Sequence, residues 1–87
     1  MNWKKNNEQL ERTVEFEDFK NALSFVNKVG FIAEEEVHHP TIKMHDYNQV
    51  TITLTTHDDA APSGGQGNKV TDKDYRLAER IDEIKPD

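Results

Sequence analysis

The chain has 87 residues, of which 33% are hydrophobic and 32% charged, with a net charge of −6 and no cysteine. That is the size of one small domain, residues 1–87, whose single core is barely sufficient alone, so association of subunits is expected to help it bury apolar surface. The composition excludes a disulfide framework and a thiolate metal site, binding through nucleic-acid backbones, which needs clustered Lys and Arg, and a bilayer-spanning helix.

Met1-Asn2-Trp3-Lys4-Lys5 is not followed by a signal-peptide core, so a soluble, cytoplasmic protein is expected. Trp3 stands alone in a polar leader and Asn6-Asn7 reads as a turn. Leu10, Arg12, Val14 and Phe16 then alternate with Glu11, Thr13, Glu15 and Glu17, the pattern of a half-buried strand. Trp3 is assigned to a short first strand paired with it. Asp18 is placed to N-cap a helix. Phe19, Ala22, Leu23, Val26, Val29, Gly30 and Ala33 recur at three- and four-residue steps and predict its buried face. Phe25, Phe31 and Ile32 fall off that stripe or on its edge, which leaves two uses open: a wider core face or a contact with another subunit.

The helix pattern stops at Glu34-Glu35-Glu36-Val37-His38-His39-Pro40. Proline cannot continue the hydrogen-bond ladder and pushes the residue before it out of the helical region. His38 is therefore expected in or beside the last turn, with His39 turned away into extended backbone. Glu34 precedes His38 by four residues, which predicts that the two share a helix face and pair. Histidine exchanges a proton near neutral pH, and a helix C-terminus favours an imidazolium, so His38 is a candidate for proton transfer.

After Pro40, Ile42 and Met44 alternate with Thr41, Lys43 and His45, and His45-Asp46-Tyr47-Asn48 has turn residues. Val50, Ile52 and Leu54 against Thr51, Thr53 and Thr55 make the clearest strand, and the two strands read as a hairpin. His57 falls on the threonine parity, away from the aliphatic side. Asp58 to Lys69, with Pro62, Ser63 and three glycines, reads as a loop. Thr71 opens a last helix with Asp74 in the reaching-back position of a capping box. Tyr75, Leu77, Ala78, Ile81 and Ile84 supply its apolar side, and Lys85-Pro86 ends it. There is no internal repeat. The sum is an α+β fold: an antiparallel four-stranded sheet with helices packed on one face, a two-layer α/β sandwich.

From Trp3 to about Glu83 the residues resemble pterin-4a-carbinolamine dehydratases. The resemblance rests on an ordered set: Glu34, three spacers, His38-His39-Pro40, the aromatic Tyr47, His57 and a later aspartate. Phe16-Glu17-Asp18-Phe19, the run from Tyr47 to Asp58, and Leu77-Ala78-Glu79 agree with family text as well. The resemblance implies subunits whose sheets pair across a dimer and whose helices assemble dimers into tetramers. It implies dehydration of 4a-hydroxytetrahydropterin to quinonoid dihydropterin, the recycling step after aromatic amino-acid hydroxylation, with a hydroxylase as pathway partner and with no metal or organic cofactor. By position, His38 and His57 resemble the acid–base pair, Glu34 and the aspartate their supporting carboxylates, and His39, Pro40 and Tyr47 the substrate-binding residues. The 16 residues between His57 and Asp74 exceed the family's usual connection. Thr71-x-x-Asp74 matches the local family text and Asp72 fits the overall distance; Asp74 is the choice. The chain is also read as starting almost at Trp3, without the leading segment usual in the family.

Three other readings compete. In the first, His38 and His39 are a plain helix end and loop residue, with Glu34 a solvated partner. A zinc site from Glu34, His38, His39 and His57 meets awkward geometry, because adjacent residues at a helix end point in different directions. A binding module without catalysis, the dimerisation partner of a regulatory protein, would use Phe25, Phe31 and Ile32, but has no chemical need for the histidine set.

Overall fold

A computed structural model describes residues 3–6, 8–56 and 69–84. The expectations for Asn7, for His57 and most of the loop after it, and for Lys85-Pro86 lie outside the described residues. The elements run β1 (Lys4–Asn6), β2 (Gln9–Glu15), α1 (Phe19–Glu36), β3 (Thr41–His45), β4 (Gln49–Leu54) and α2 (Asp72–Asp82). The sheet is antiparallel with strand order β1-β2-β4-β3, the α+β architecture that the alternating and helical patterns predict.

Register explains why the sheet has one buried face. Leu10 lies opposite Leu54, Arg12 opposite Ile52 and Val14 opposite Val50, while Ile42 and Met44 face Ile52 and Val50 from the other side. Residues directly opposite share a face, so the aliphatics of three strands converge. Leu10, Val50, Ile52 and Leu54 are fully or almost fully buried. The intervening positions put Thr13 beside Thr51, their hydroxyls 2.8 Å apart, on the other face. Trp3, just ahead of β1, is buried and donates its indole N–H to Asp82 at 2.9 Å; Arg12 pairs with the same carboxylate and ties β2 to the end of α2.

Helix α1 starts where Asp18, in extended backbone, accepts the Asn21 N–H at 2.8 Å. Its buried face is Ala22, Phe25, Val29 and Ala33, with Val26 and Ile32 packed at the edge. That corrects the expected stripe. Phe25 belongs to the core, its ring 5.0 Å from that of Phe16, whereas Phe19 and Leu23 are 53% and 43% exposed. Apolar residues occupy both stripes, and the sheet takes the one that carries Phe25. In α2, Leu77, Ala78 and Ile81 are buried, while Tyr75 sits on the exposed edge.

Three carboxylates at the negative end of a helix dipole oppose one another and the dipole. Each has a cationic or imidazole partner: Glu35 and Glu36 meet Arg80 at 2.8 and 3.0 Å, Glu36 also lies 3.8 Å from Arg76, and Glu34 pairs with His39. The hydrogen bonds that Arg80 donates, to Glu35 first and then to Glu36, raise its pKa above the ordinary value. This ion pairing joins the end of α1 to α2 and so positions the segment that follows.

Candidate active site

The segment after α1 turns because Val37 adopts a left-handed conformation (φ 50°, ψ 44°). Its N–H bonds the Glu34 carbonyl at 3.3 Å, and the His38 N–H bonds the Ala33 carbonyl at 3.1 Å. This is the Schellman ending, in which glycine is usual at the left-handed position. A β-branched residue held there is strained. The turn sends the two histidines to different places.

His38 folds inward against the first turn of α2. Its Nε2 lies 2.5 Å from Oδ1 of Asp74, a carboxylate with no solvent exposure. The other oxygen, Oδ2, accepts the Thr71 N–H at 2.9 Å and the Thr56 hydroxyl at 2.8 Å. Asp74 therefore has two jobs. It completes the capping box that starts α2, and it holds the His38 ring. A carboxylate accepts, so Nε2 carries the hydrogen and a neutral His38 exposes its lone pair at Nδ1. A buried carboxylate left without donors would cost several kcal/mol or more; here every oxygen has a partner.

His39 points the other way. Its Nε2 pairs with Glu34 across the end of the helix, both side chains mostly exposed. The expected Glu34–His38 pair does not form, because the left-handed Val37 ends the helix before His38 and breaks the four-residue spacing. Val37, His38, His39, Thr55, Thr56 and Lys73 line a cavity of about 300 Å³, at the lower end of the size range for small-molecule sites. A second cavity of about 230 Å³ between Glu36, Asp72, Lys73 and Arg76 shares Lys73 with it.

The family model described as pterin 4 alpha carbinolamine dehydratase matches residues 1–84. This chain belongs to that family. A protein of Koribacter versatilis (strain Ellin345) named "Putative pterin-4-alpha-carbinolamine dehydratase" is 46% identical over 84 residues, covering 97% of this chain and 80% of its own length. One of Sulfurisphaera tokodaii with the same name is 43% identical over 82 residues, covering 94% and 78%. Among solved structures, a transcriptional coactivator/pterin dehydratase from Brucella melitensis superposes with a TM-score of 0.72 at 30% identity, over 93% of this chain and 79% of that one. A pterin dehydratase-like RuBisCO assembly factor of the alpha-carboxysome superposes at 0.68 over 94% and 87%; at 24% identity it shares the fold.

Within this dehydratase-family chain, the structure joins His38 to Asp74 and His39 to Glu34, with both histidines on one cavity and Pro40 directly after them. Asp72, the rival for the aspartate position, lies on the neighbouring cavity. Tyr47 is not with them. It sits 66% exposed in the turn between β3 and β4, the length of β3, roughly 15 Å, from the histidine end of the hairpin. Asp46 and Tyr47 both have positive φ there. Their turn is anchored by Asn48, whose amide donates to the Phe16 carbonyl at 2.8 Å. Thr55, Thr56 and Lys73 complete the cavity lining and belong to no site motif in the sequence. Thr56 was findable, since it continues the inward parity of Val50, Ile52 and Leu54 and so points its hydroxyl at the helix layer. Among the described residues no three His, Asp or Glu side chains converge as metal ligands, and no helix is long and apolar enough to cross a membrane.

Proposed function

We propose that this protein dehydrates 4a-hydroxytetrahydropterin to quinonoid dihydropterin and water, using histidine acid–base catalysis. The observation that carries the reading is the buried Asp74 carboxylate on Nε2 of His38, whose ring lines a cavity together with His39. A histidine oriented by a carboxylate has one nitrogen committed and the other ready to take or give a proton.

The reaction needs that and little more. The C4a–O bond breaks, its electron pair leaves with oxygen, and a proton from an imidazolium completes the water. The lone pair of the adjacent ring nitrogen forms the new C=N bond, and the proton on that nitrogen goes to a neutral imidazole. Protons balance, and two histidines suffice. His38 and His57 fill these roles, His38 working through Nδ1. His57 follows Thr56 directly in the chain, and its part rests on sequence position. His39, held by Glu34 at the rim, and Pro40 position the pterin. The reading needs no metal or organic cofactor. Residues 1–87 form one such unit, acting in the cytoplasm as a homodimer or homotetramer and downstream of a pterin-dependent aromatic amino-acid hydroxylase. Tyr47, at the far end of the hairpin, contributes to the pterin site only through that assembly.

One observation favours a second role. Phe19, Leu23 and Phe31 of α1 are exposed, Phe31 to 74%, on a surface suited to a protein partner such as a regulatory protein. The similarity to a coactivator/pterin dehydratase supports the same reading. His57→Ala separates the two. The dehydratase reading expects loss of turnover with assembly and partner binding intact; persistent turnover with loss of assembly sinks it.

A further inference from the structure

The hydroxyls around Asp74 form a directed chain. Thr56 Oγ1 has one hydrogen, and it goes to Asp74 Oδ2 at 2.8 Å. In its other contact, 2.8 Å to Thr71 Oγ1, Thr56 must therefore accept. The order is Thr71 hydroxyl to Thr56 hydroxyl to Asp74, with His38 Nε2 on the far oxygen. Capping explains Thr71 and Asp74, which both belong to the start of α2. It does not explain Thr56, which comes from the strand side of the molecule. The backbone of Thr56 is already held by paired bonds with Lys69 at 2.9 and 3.1 Å, independently of its side chain.

We propose that Thr56 is a positioning residue for the dehydration: its hydroxyl fixes the Asp74 carboxylate and, through it, the ring orientation and tautomer of His38. The proposal rests on the dehydratase reading for its kinetic consequence but not for its structural one. The Thr71 N–H alone leaves Oδ2 a single anchor, about which the carboxylate plane can rock. The added hydroxyl bond opposes that rocking and keeps Oδ1 on Nε2. The residue before His57 in the chain thus orders His38.

The test is Thr56→Val, which exchanges the hydroxyl for a methyl of similar size, beside Thr56→Ser, which restores the donor. Thr56→Cys, with a weak donor on the same frame, gives an intermediate value and serves should the valine protein fail to fold. Steady-state dehydration of 4a-hydroxytetrahydropterin should show kcat reduced about tenfold in the valine variant, with KM within about twofold and the serine variant near wild type. Nitrogen-15 NMR of the imidazoles, at a pH where they are neutral, should show His38 as a single Nε2–H tautomer in the wild type and as a mixture in Thr56→Val. Folded Thr56→Val with unchanged kcat and tautomer overturns the proposal, as does a serine variant as impaired as the valine one. If the wild type itself does not turn over, the dehydratase reading fails, and the tautomer measurement still decides what Thr56 does.

Discussion

Replacing Asp74 by asparagine keeps the volume of a fully buried side chain and removes one acceptor. The carboxylate takes three donors: His38 Nε2 on Oδ1, and the Thr56 hydroxyl and Thr71 N–H on Oδ2. An amide has one oxygen and two N–H hydrogens. If its nitrogen faced Thr71, two donors would meet in a buried place, so the oxygen takes that side and the NH2 faces His38. An NH2 donates, and His38 must then accept at Nε2 and carry its hydrogen on Nδ1, the tautomer opposite to the one we assign. The loss of a charge-assisted bond costs about 1–3 kcal/mol. For a chain of this length, that lowers Tm by roughly 5–20 °C. The kinetic effect is larger, because a misplaced acid–base proton forfeits a factor of about 10²–10⁴. The assays are the absorbance-monitored dehydration reaction and imidazole NMR on the same preparation. A folded Asp74→Asn protein with wild-type kcat, or with His38 still protonated at Nε2, would mean that Asp74 does not set the His38 tautomer.

Three further substitutions test the scaffold. Val37→Gly relieves a β-branched residue at φ 50°; relief of roughly 1–2 kcal/mol against about 0.5–1 kcal/mol of added unfolded-state entropy leaves a gain of up to about 1.5 kcal/mol, read as a higher midpoint in chemical denaturation. Gly30→Ala, where an added Cβ meets nothing within 4 Å, should raise stability by about 0.8–1 kcal/mol through helix propensity; a loss would mean that a neighbouring molecule occupies that space. Leu54→Ala, at a position with no exposure, should cost about 2–5 kcal/mol, a large part of the stability of a small domain, visible as a collapse of Tm.

The strands were legible because each β residue announces its face by parity. Val50, Ile52 and Leu54 against threonines admit one register, and a one-residue slip would bury Thr51 and Thr53. The helix was legible in extent but not in rotation. With Phe19 and Leu23 on one stripe and Phe25 on the next, local periodicity fits both, and only the sheet decides between them. The histidines are legible as a pair at the helix end, but the partner that spacing assigns to His38 is not the one it takes. Spacing arguments assume a continuing helix, and a single left-handed residue, Val37, redirects His38 to Asp74 and returns His39 to Glu34. Val37 carries no sign of this, since glycine is the residue that marks such an ending. The Asp74–His38 contact spans 36 residues of sequence and depends on how α2 docks, which no local pattern encodes. Tyr47 shows the converse: motif order is not proximity, and a hairpin places consecutive motif members at opposite ends.

On this reading the His38–Asp74 site removes water from a pterin carbinolamine. The most direct measurement is the rate of dehydration of synthetic 4a-hydroxytetrahydropterin, followed by ultraviolet absorbance, with chelator-treated wild-type, His38→Ala and His57→Ala proteins. Fast turnover by the wild type is expected, unaffected by the chelator and abolished by either substitution. Folded wild-type protein that does not accelerate the reaction over the uncatalysed rate, or turnover that survives loss of both histidines, would contradict it.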